Sequence, residues 1–460
     1  MLFNSFDFLL FFAAVTAAYF ALPHRFRWVL LLAASCVFYM TFIPKYILIL
    51  AFAITVDYVA GVRIEDDPAR RELYLWMSVA TVCAVLFFFK YFNFFNANAA
   101  ALAKAIHWNY PIRDLQIILP IGLSFHTFQS LSYVIEVYSG KQKAERHFGY
   151  YALYVMYFPQ LVAGPIERPQ NLLHQFHAPQ RFDWSRVQDG LSLTLWGLFK
   201  KVVVADCLSI YVDAVYDSGH HTGTTLLLAT YFFAFQIYCD FSGYSDMARG
   251  LSRVYGIELM KNFETPYFAA SIGEFWARWH ISLSTWFKDY VYIPLGGNRV
   301  APLRHAFNLM VVFLVSGFWH GANWTFVIWG ALHGAYLIGE RALGALRLPA
   351  LGRWPRRIVT FHLVLLAWVF FRAKTVGAAF DILRKILLDH GPLFWDVIIV
   401  QGVLVSAAAL ALDAFHRRTD YWSRPARFGP TFRAAHMFCL LFAVVLFGVD
   451  SGAQFIYFQF

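Results

Sequence analysis

Val315-Ser316-Gly317-Phe318-Trp319-His320-Gly321-Ala322-Asn323-Trp324 closes an apolar run that begins at Met310. The run is apolar enough for lipid, yet it delivers an ionisable imidazole, His320, between Trp319 and Trp324. A titratable side chain at membrane depth is expensive and marks a functional site by default. Forty positions upstream, Trp276-Ala277-Arg278-Trp279-His280-Ile281-Ser282 sets a second histidine among tryptophans. Two imidazoles in aromatic, apolar settings point to proton-transfer chemistry inside a membrane.

The composition around these stretches agrees. Of 460 residues, 59% are hydrophobic and 14% charged, where a soluble domain carries about a quarter charged residues. Mean hydropathy is +0.52, and long apolar runs recur, so the chain reads as a polytopic membrane protein. Its 25 Tyr and 15 Trp at span ends read as interfacial anchors. The 49 Phe are read either as lipid-facing or as packing around an internal tunnel. The net charge of +10 is spread over short loops, as expected for cytoplasmic loops beside anionic lipid. A nucleic-acid partner would need a clustered basic face. Cys36, Cys83, Cys207, Cys239 and Cys439 lie within or beside apolar stretches and form no Cys-x-x-Cys pair, so neither zinc nor a disulfide framework is expected. Met1–Asp7 lacks a basic leader, and Phe8–Leu22 reads as a retained span.

Three zones follow along a single membrane domain, 1–460. Residues 1–95 hold plain spans: Phe8–Leu22, Trp28–Ile43, Tyr46–Val62 and Tyr74–Phe95. The basic loops at 24–27 and 63–71 share one side, cytoplasmic by the positive-inside rule, which sets the N-terminus outside. The loop Asn96–Gln116 then faces outward, and Lys141–Arg146 returns to the cytoplasm. In the zone 116–340, the segments Ile117–Tyr138, Phe148–Gly164 and Tyr231–Gly250 are interrupted by Pro, Gly and polar residues. Broken helices at membrane depth must pack in protein or line water, so this zone is expected to enclose a cavity. Residues 357–460 return to plain spans at Ile358–Phe371, Val397–Leu412 and Ala434–Val449. No internal repeat is visible.

Several groups in the middle zone carry candidate chemistry. A neutral imidazole is the most useful general base near neutrality, and His320 can take the proton of a hydroxyl attacking a thioester. A histidine hydrogen-bonded for structure is the other reading. The recurrence of Trp276, Trp279, His280, Thr285-Trp286 and Phe287 at three- and four-residue steps predicts one amphipathic helix over Glu274–Tyr290. His280 and Ser284 would share its face, as site residues or as plain core. Pro294 and Gly296-Gly297-Asn298 predict a turn. Asp240, Asp246 and Glu136 either orient the histidines or pair with Arg278 and Arg168. His, Asp and Glu are scattered without ligand spacing, so no metal is expected, and no Gly-x-Ser-x-Gly elbow is present.

Taken together, Phe158–Arg168 (FPQLVAGPIER), Gln236–Met247 (QIYCDFSGYSDM), Glu274–Arg299 (EFWARWHISLSTWFKDYVYIPLGGNR), Val315–Trp324 and the terminal Phe455–Phe460 (FIYFQF) resemble the membrane-bound O-acyltransferase family, in its bacterial alginate-acetylating branch. The resemblance spans nearly the whole chain. It implies an all-α polytopic protein, a ring of roughly 11–13 transmembrane and re-entrant helices around a central tunnel. The family's signature histidine matches His320 and its second polar position matches His280. Trp276, Trp279, Ser284, Asn323, Asp240 and Gln236 are the candidate substrate-binding residues.

The implied reaction is transfer of an acetyl group from a cytoplasmic thioester, acetyl-CoA or another acyl thioester, with no tightly bound cofactor. The group would cross a bacterial inner membrane and reach an exported polysaccharide through a periplasmic or extracellular partner of SGNH-hydrolase type. Alternatives are D-alanyl transfer to teichoic acid, a proton-coupled transporter, and a scaffold that recruits the secreted partner.

Overall fold

The computed structural model describes residues 1–345, 352–449 and 455–456, and among them every regular element is helical. Among the described residues six helices are long and apolar enough to cross a membrane: Pro44–Asp66, Pro68–Ala105, Gly223–Val254, Arg353–Arg372, Ile398–Thr419 and Pro430–Phe447. Phe6–Ala21 is apolar but shorter. The chain forms two compact units, one of Met1–Gly190 with Leu251–Met260, the other of Leu191–Gly250 with Lys261–Phe460.

The first unit contains α1 (Phe6–Ala21), α2 (His24–Met40), α3 (Ile47–Asp66), α4 (Arg71–Leu86), α5 (Phe92–Ala105), α6 (Leu123–Tyr138), α7 (Phe148–Met156) and α8 (Pro169–His177). The Ser5 hydroxyl caps α1 by accepting from the Phe8 amide at 3.2 Å. A π-helical turn at Phe87–Tyr91 joins α4 to α5, so helix continues to Ala105 and occupies the first half of the loop expected at Asn96–Gln116. Two of the three interrupted segments are indeed broken. Helix α6 starts only at Leu123, after Gly122 at φ 74°. Helix α7 stops at Met156, and the Phe158 amide beyond it donates to Ser35 Oγ at 3.0 Å.

The third segment is not broken. Helix α9 (Trp184–Leu198) runs from the end of the first unit into the second and leads through a π-helical stretch, Phe199–Ala205, into α10 (Asp206–Ser218). Helix α11 then runs unbroken over Gly223–Val254, 32 residues. Its most apolar window is 78% buried, against 6% for the helix Pro430–Phe447. The second helix therefore turns its side chains outward while α11 forms the middle of the unit. The polar residues of α11 find partners without breaking it. Lys201 Nζ lies 2.8 Å from both Asp240 and Asp206, and Lys200 Nζ lies 2.5 Å from Asp246. Gly243 admits the close neighbour: a Cβ on Gly197 of α9 would stand 2.5 Å from the Gly243 carbonyl oxygen.

Next come the short α12 (Ile272–Trp276) and α13 (Ile281–Phe287), the hairpin of α14 (Pro302–His320) and α15 (Trp324–Ala345), and then α16 (Arg353–Arg372), α17 (Val376–Leu388), α18 (Ile398–Thr419) and α19 (Pro430–Phe447). The turn expected before α14 is present: Gly296 and Gly297 both have positive φ, 104° and 57°, and Asn308 Nδ2 donates to the Leu295 and Gly297 carbonyls at 3.1 Å. Of the terminal motif, Phe455 and Ile456 are described. The Ile456 amide donates to Asp240 Oδ2 at 2.9 Å, and Lys201 lies 4.5 Å from the Phe455 ring centroid. Residues 457–460 lie outside the described residues.

Candidate active site

The helix expected over Glu274–Tyr290 does not exist as one piece. It breaks between α12 and α13, and His280 sits at the break with φ 44° and ψ 55°. A left-handed conformation in a non-glycine residue costs on the order of 1–3 kcal/mol and persists only where surrounding bonds over-determine it. They do so here. Ile281 N donates to the Asn262 carbonyl (2.9 Å), Ser282 N and Oγ donate to Asn262 Oδ1 (3.1 and 2.9 Å), and Glu264 N donates to the Arg278 carbonyl (2.9 Å). Both sides of His280 are thus pinned to the segment 262–264. His280 is thereby the N-cap of α13, and its carbonyl accepts from the Ser284 amide at 2.9 Å. His280 is wholly buried, its ring edge-on to Phe241 of α11 at 4.6 Å between centroids. Nδ1 stands 3.5 Å from Ser282 Oγ.

His320 is the last residue of α14 and is 4% exposed. Three rings enclose it: Trp319 at 5.0 Å, Trp329 at 4.9 Å and Phe371 at 5.5 Å between centroids. Trp324, expected as the second flanking indole, is 52% exposed, and Trp329 on α15 takes the place against His320. The Trp319 ring also lies 6.4 Å from that of His280, so one indole borders both histidines.

A cavity of about 420 Å³ lies beside this cluster. One face of α14 lines it (Leu309, Val312, Phe313 and Ser316), opposed by Ile281 and Ser284 of α13. Neither histidine is in its lining, but Ile281 adjoins His280 and Ser316 stands one helical turn before His320. Its exposed members include two cations, Lys288 and Arg341, and no carboxylate lines it.

The remaining candidates divide. Trp276 and Ser284 border the cavity. Trp279, 1% exposed, is instead packed between Phe263 and Trp368, each 5.1 Å away. Gln236 on α11 is buried, and its Oε1 has no hydrogen-bond partner among the described residues. Asp240 is tied to Lys201 and to the Ile456 amide and does not line the cavity. Asn323 is likewise engaged. Its Oδ1 accepts from the Thr325 amide at 3.1 Å to start α15, and its Nδ2 donates to the Lys374 carbonyl at 3.0 Å. Asp246 pairs with Lys200 and Arg249 in place of Arg278, and Glu136 accepts from Gln170. Arg278 pairs with Glu274. Among the described residues no three His, Cys, Asp or Glu side chains stand together as metal ligands.

Sequence reasoning missed two features. Lys200-Lys201 interrupts an otherwise apolar stretch, Leu191–Val204, and that pair was the available signal for buried ion pairs. His333, wholly buried on α15, accepts from the Trp276 indole at 3.3 Å. The four-residue steps Thr325, Trp329, His333 mark the same helix face.

An all-helical membrane protein with a histidine cluster beside a cavity is the class that the fold and site define. The sequence at residues 146–376 matches MBOAT, the membrane-bound O-acyltransferase family. A probable alginate O-acetylase AlgI of Azotobacter vinelandii is 40% identical over 384 residues, 82% of this chain and 76% of that protein. A peptidoglycan O-acetyltransferase of Helicobacter pylori is 37% identical over 398 residues, covering 78% and 74%. A teichoic acid D-alanyltransferase of Streptococcus thermophilus is 27% identical over 283 residues, covering 55% and 68%. The chain belongs to the membrane-bound O-acyltransferase family and is a multi-pass O-acyltransferase.

Proposed function

We propose that this enzyme takes an acetyl group from a cytoplasmic thioester and passes it across the membrane for O-acetylation of an exported, alginate-like or other cell-surface polymer, with His320 as the base. The observation that carries the reading is the cavity. Its exposed residues include the cations Lys288 and Arg341. Basic residues at span ends favour the cytoplasmic side. From there the apolar face of α14 leads to Ser316, one turn short of His320. A thioester with an anionic handle suits this layout: the handle stays at the cations while the small acyl end enters the apolar part. Little water enters with it, which limits hydrolysis of the thioester.

In this reading the acceptor hydroxyl attacks the thioester carbonyl, and His320 takes its proton and returns it to the leaving sulfur. His280, held in place by Asn262, orients the acyl group from beyond Trp319. The acetyl group is preferred over D-alanine because the relatives near 40% identity are named for acetylation, while the D-alanyltransferase match is weaker and shorter. Delivery to the polymer uses an SGNH-hydrolase-like partner outside a bacterial inner membrane, and the N-terminus faces that side. The transporter alternative gives way to the chemistry of the family.

The test is His320→Ala in the native host. We expect polymer acetylation to vanish at unchanged protein level and membrane insertion. Full acetyl content in that variant would reject His320 as the base, and membranes that release no thiol from labelled acetyl-CoA would reject that donor.

A further inference from the structure

The indoles around His320 differ in what their N–H groups do. An indole nitrogen is a donor only, and a buried one usually has an acceptor. Trp276 follows that rule, since its N–H donates to His333 Nδ1 at 3.3 Å. Trp329 does not. It is 0% exposed, and its Nε1 has no hydrogen-bond partner among the described residues. It is also the ring nearest His320, edge-on at 4.9 Å and 87°. Trp368, likewise 0% exposed with Nε1 lacking a partner among the described residues, stacks behind it at 6.0 Å and 20°. Two buried donor-only groups without acceptors among the described residues therefore stand together, and one of them, Trp329, lies against the proposed base. Fixed donors in a water-excluded site act most strongly on charge that develops during reaction.

We infer that the Trp329 indole N–H is a catalytic donor that stabilises the oxyanion formed when the acyl carbonyl is attacked beside His320. The inference rests on the role of His320 proposed above. In the step, the acceptor oxygen bonds to the carbonyl carbon and its proton moves to His320. The carbonyl π pair moves onto oxygen, which accepts the hydrogen bond from Trp329. Collapse restores C=O, breaks the C–S bond and returns the proton from His320 to sulfur. The products are an ester and a thiol, with no other reactant.

The experiment replaces Trp329 with 3-benzothienylalanine, which keeps the bicyclic shape but puts sulfur where N–H was. Trp329→Phe and Trp329→His are measured alongside. The host lacking the gene is complemented with each variant at matched protein level, and the initial rate of polymer acetylation is read. His320→Ala sets the zero, so neither donor nor acceptor need be identified. Loss of one oxyanion donor lowers turnover by about 100-fold, and this is expected for the benzothienyl and Phe variants. The His variant, which retains a ring N–H, should recover part of the rate. A benzothienyl or Phe variant within about threefold of wild type would overturn the inference, as would a Phe variant no slower than the His variant. Activity in His320→Ala would instead sink the role of His320, a separate outcome.

Discussion

Adding one methyl group at Gly330 should loosen the hairpin that carries His320. Helices α14 and α15 touch through Gly317 and Gly330, where a Cβ on either would stand 3.2–3.3 Å from the Cα of the other. The harder contact is with backbone. A Cβ on Gly330 would lie 2.2 Å from the Phe313 carbonyl oxygen, and one on Gly317 would lie 2.3 Å from that of Phe326. Ordinary carbon–oxygen contacts begin at about 3.3 Å, so Gly330→Ala must part the helices by about 1 Å. Backbone cannot rotate away as a flexible side chain can, and overpacking of this kind typically costs about 1–3 kcal/mol. Small residues at such crossings are what let membrane helices approach closely. The same shift displaces Ser316 and His320 from Trp329, and a misplacement of about 1 Å can lower a rate about 100-fold. The purified variant should therefore melt at lower temperature in detergent and acetylate polymer one to two orders of magnitude more slowly, while still inserting. Wild-type melting together with a wild-type rate would show that the α14–α15 contact is not the constraint argued here.

Other expectations follow from the same geometry. His280→Gly and His280→Ala should both lose acetylation, but glycine, at ease at φ 44°, should leave the protein more stable than alanine by about 1 kcal/mol in thermal unfolding; equal stability would remove the argument for a strained backbone. Lys201→Met strands the carboxylates of Asp206 and Asp240, and breaking a buried pair costs about 3–5 kcal/mol. Membrane accumulation should fall sharply and recover in part in Lys201→Met/Asp240→Asn, whereas a double variant no better than the single one would deny the coupling. Lys288→Glu at the exposed end of the cavity should raise KM for an anionic thioester several-fold with little change in kcat, an effect that shrinks with added salt; an unchanged KM would move the donor's handle elsewhere.

The membrane class was legible in the sequence because burial in lipid is a local, one-dimensional property. Runs such as Tyr46–Val62 and Val397–Leu412 became α3 and α18 nearly as read, and the turn at Gly296-Gly297 followed from glycine's freedom at positive φ. The place of His320 at a helix end was also legible, since the apolar run that becomes α14 stops there. Periodicity failed at Glu274–Tyr290, because the break at His280 is imposed by Asn262, some twenty residues away. It failed again on α11, whose polar residues suggested a broken helix. Lys200 and Lys201, some forty residues earlier, neutralise Asp246 and Asp240 and let the helix run on.

The sequence by itself determined that this is a polytopic membrane protein with a histidine at the end of an apolar run, because each of those properties is written in consecutive residues. Only the tertiary structure decided what surrounds that histidine: Trp329 and Phe371 in place of Trp324, and Asp240 tied into an ion pair away from the cavity. Hydrogen bonds, ion pairs and ring contacts between distant residues depend on how helices meet in space, and no local pattern of residues encodes that meeting.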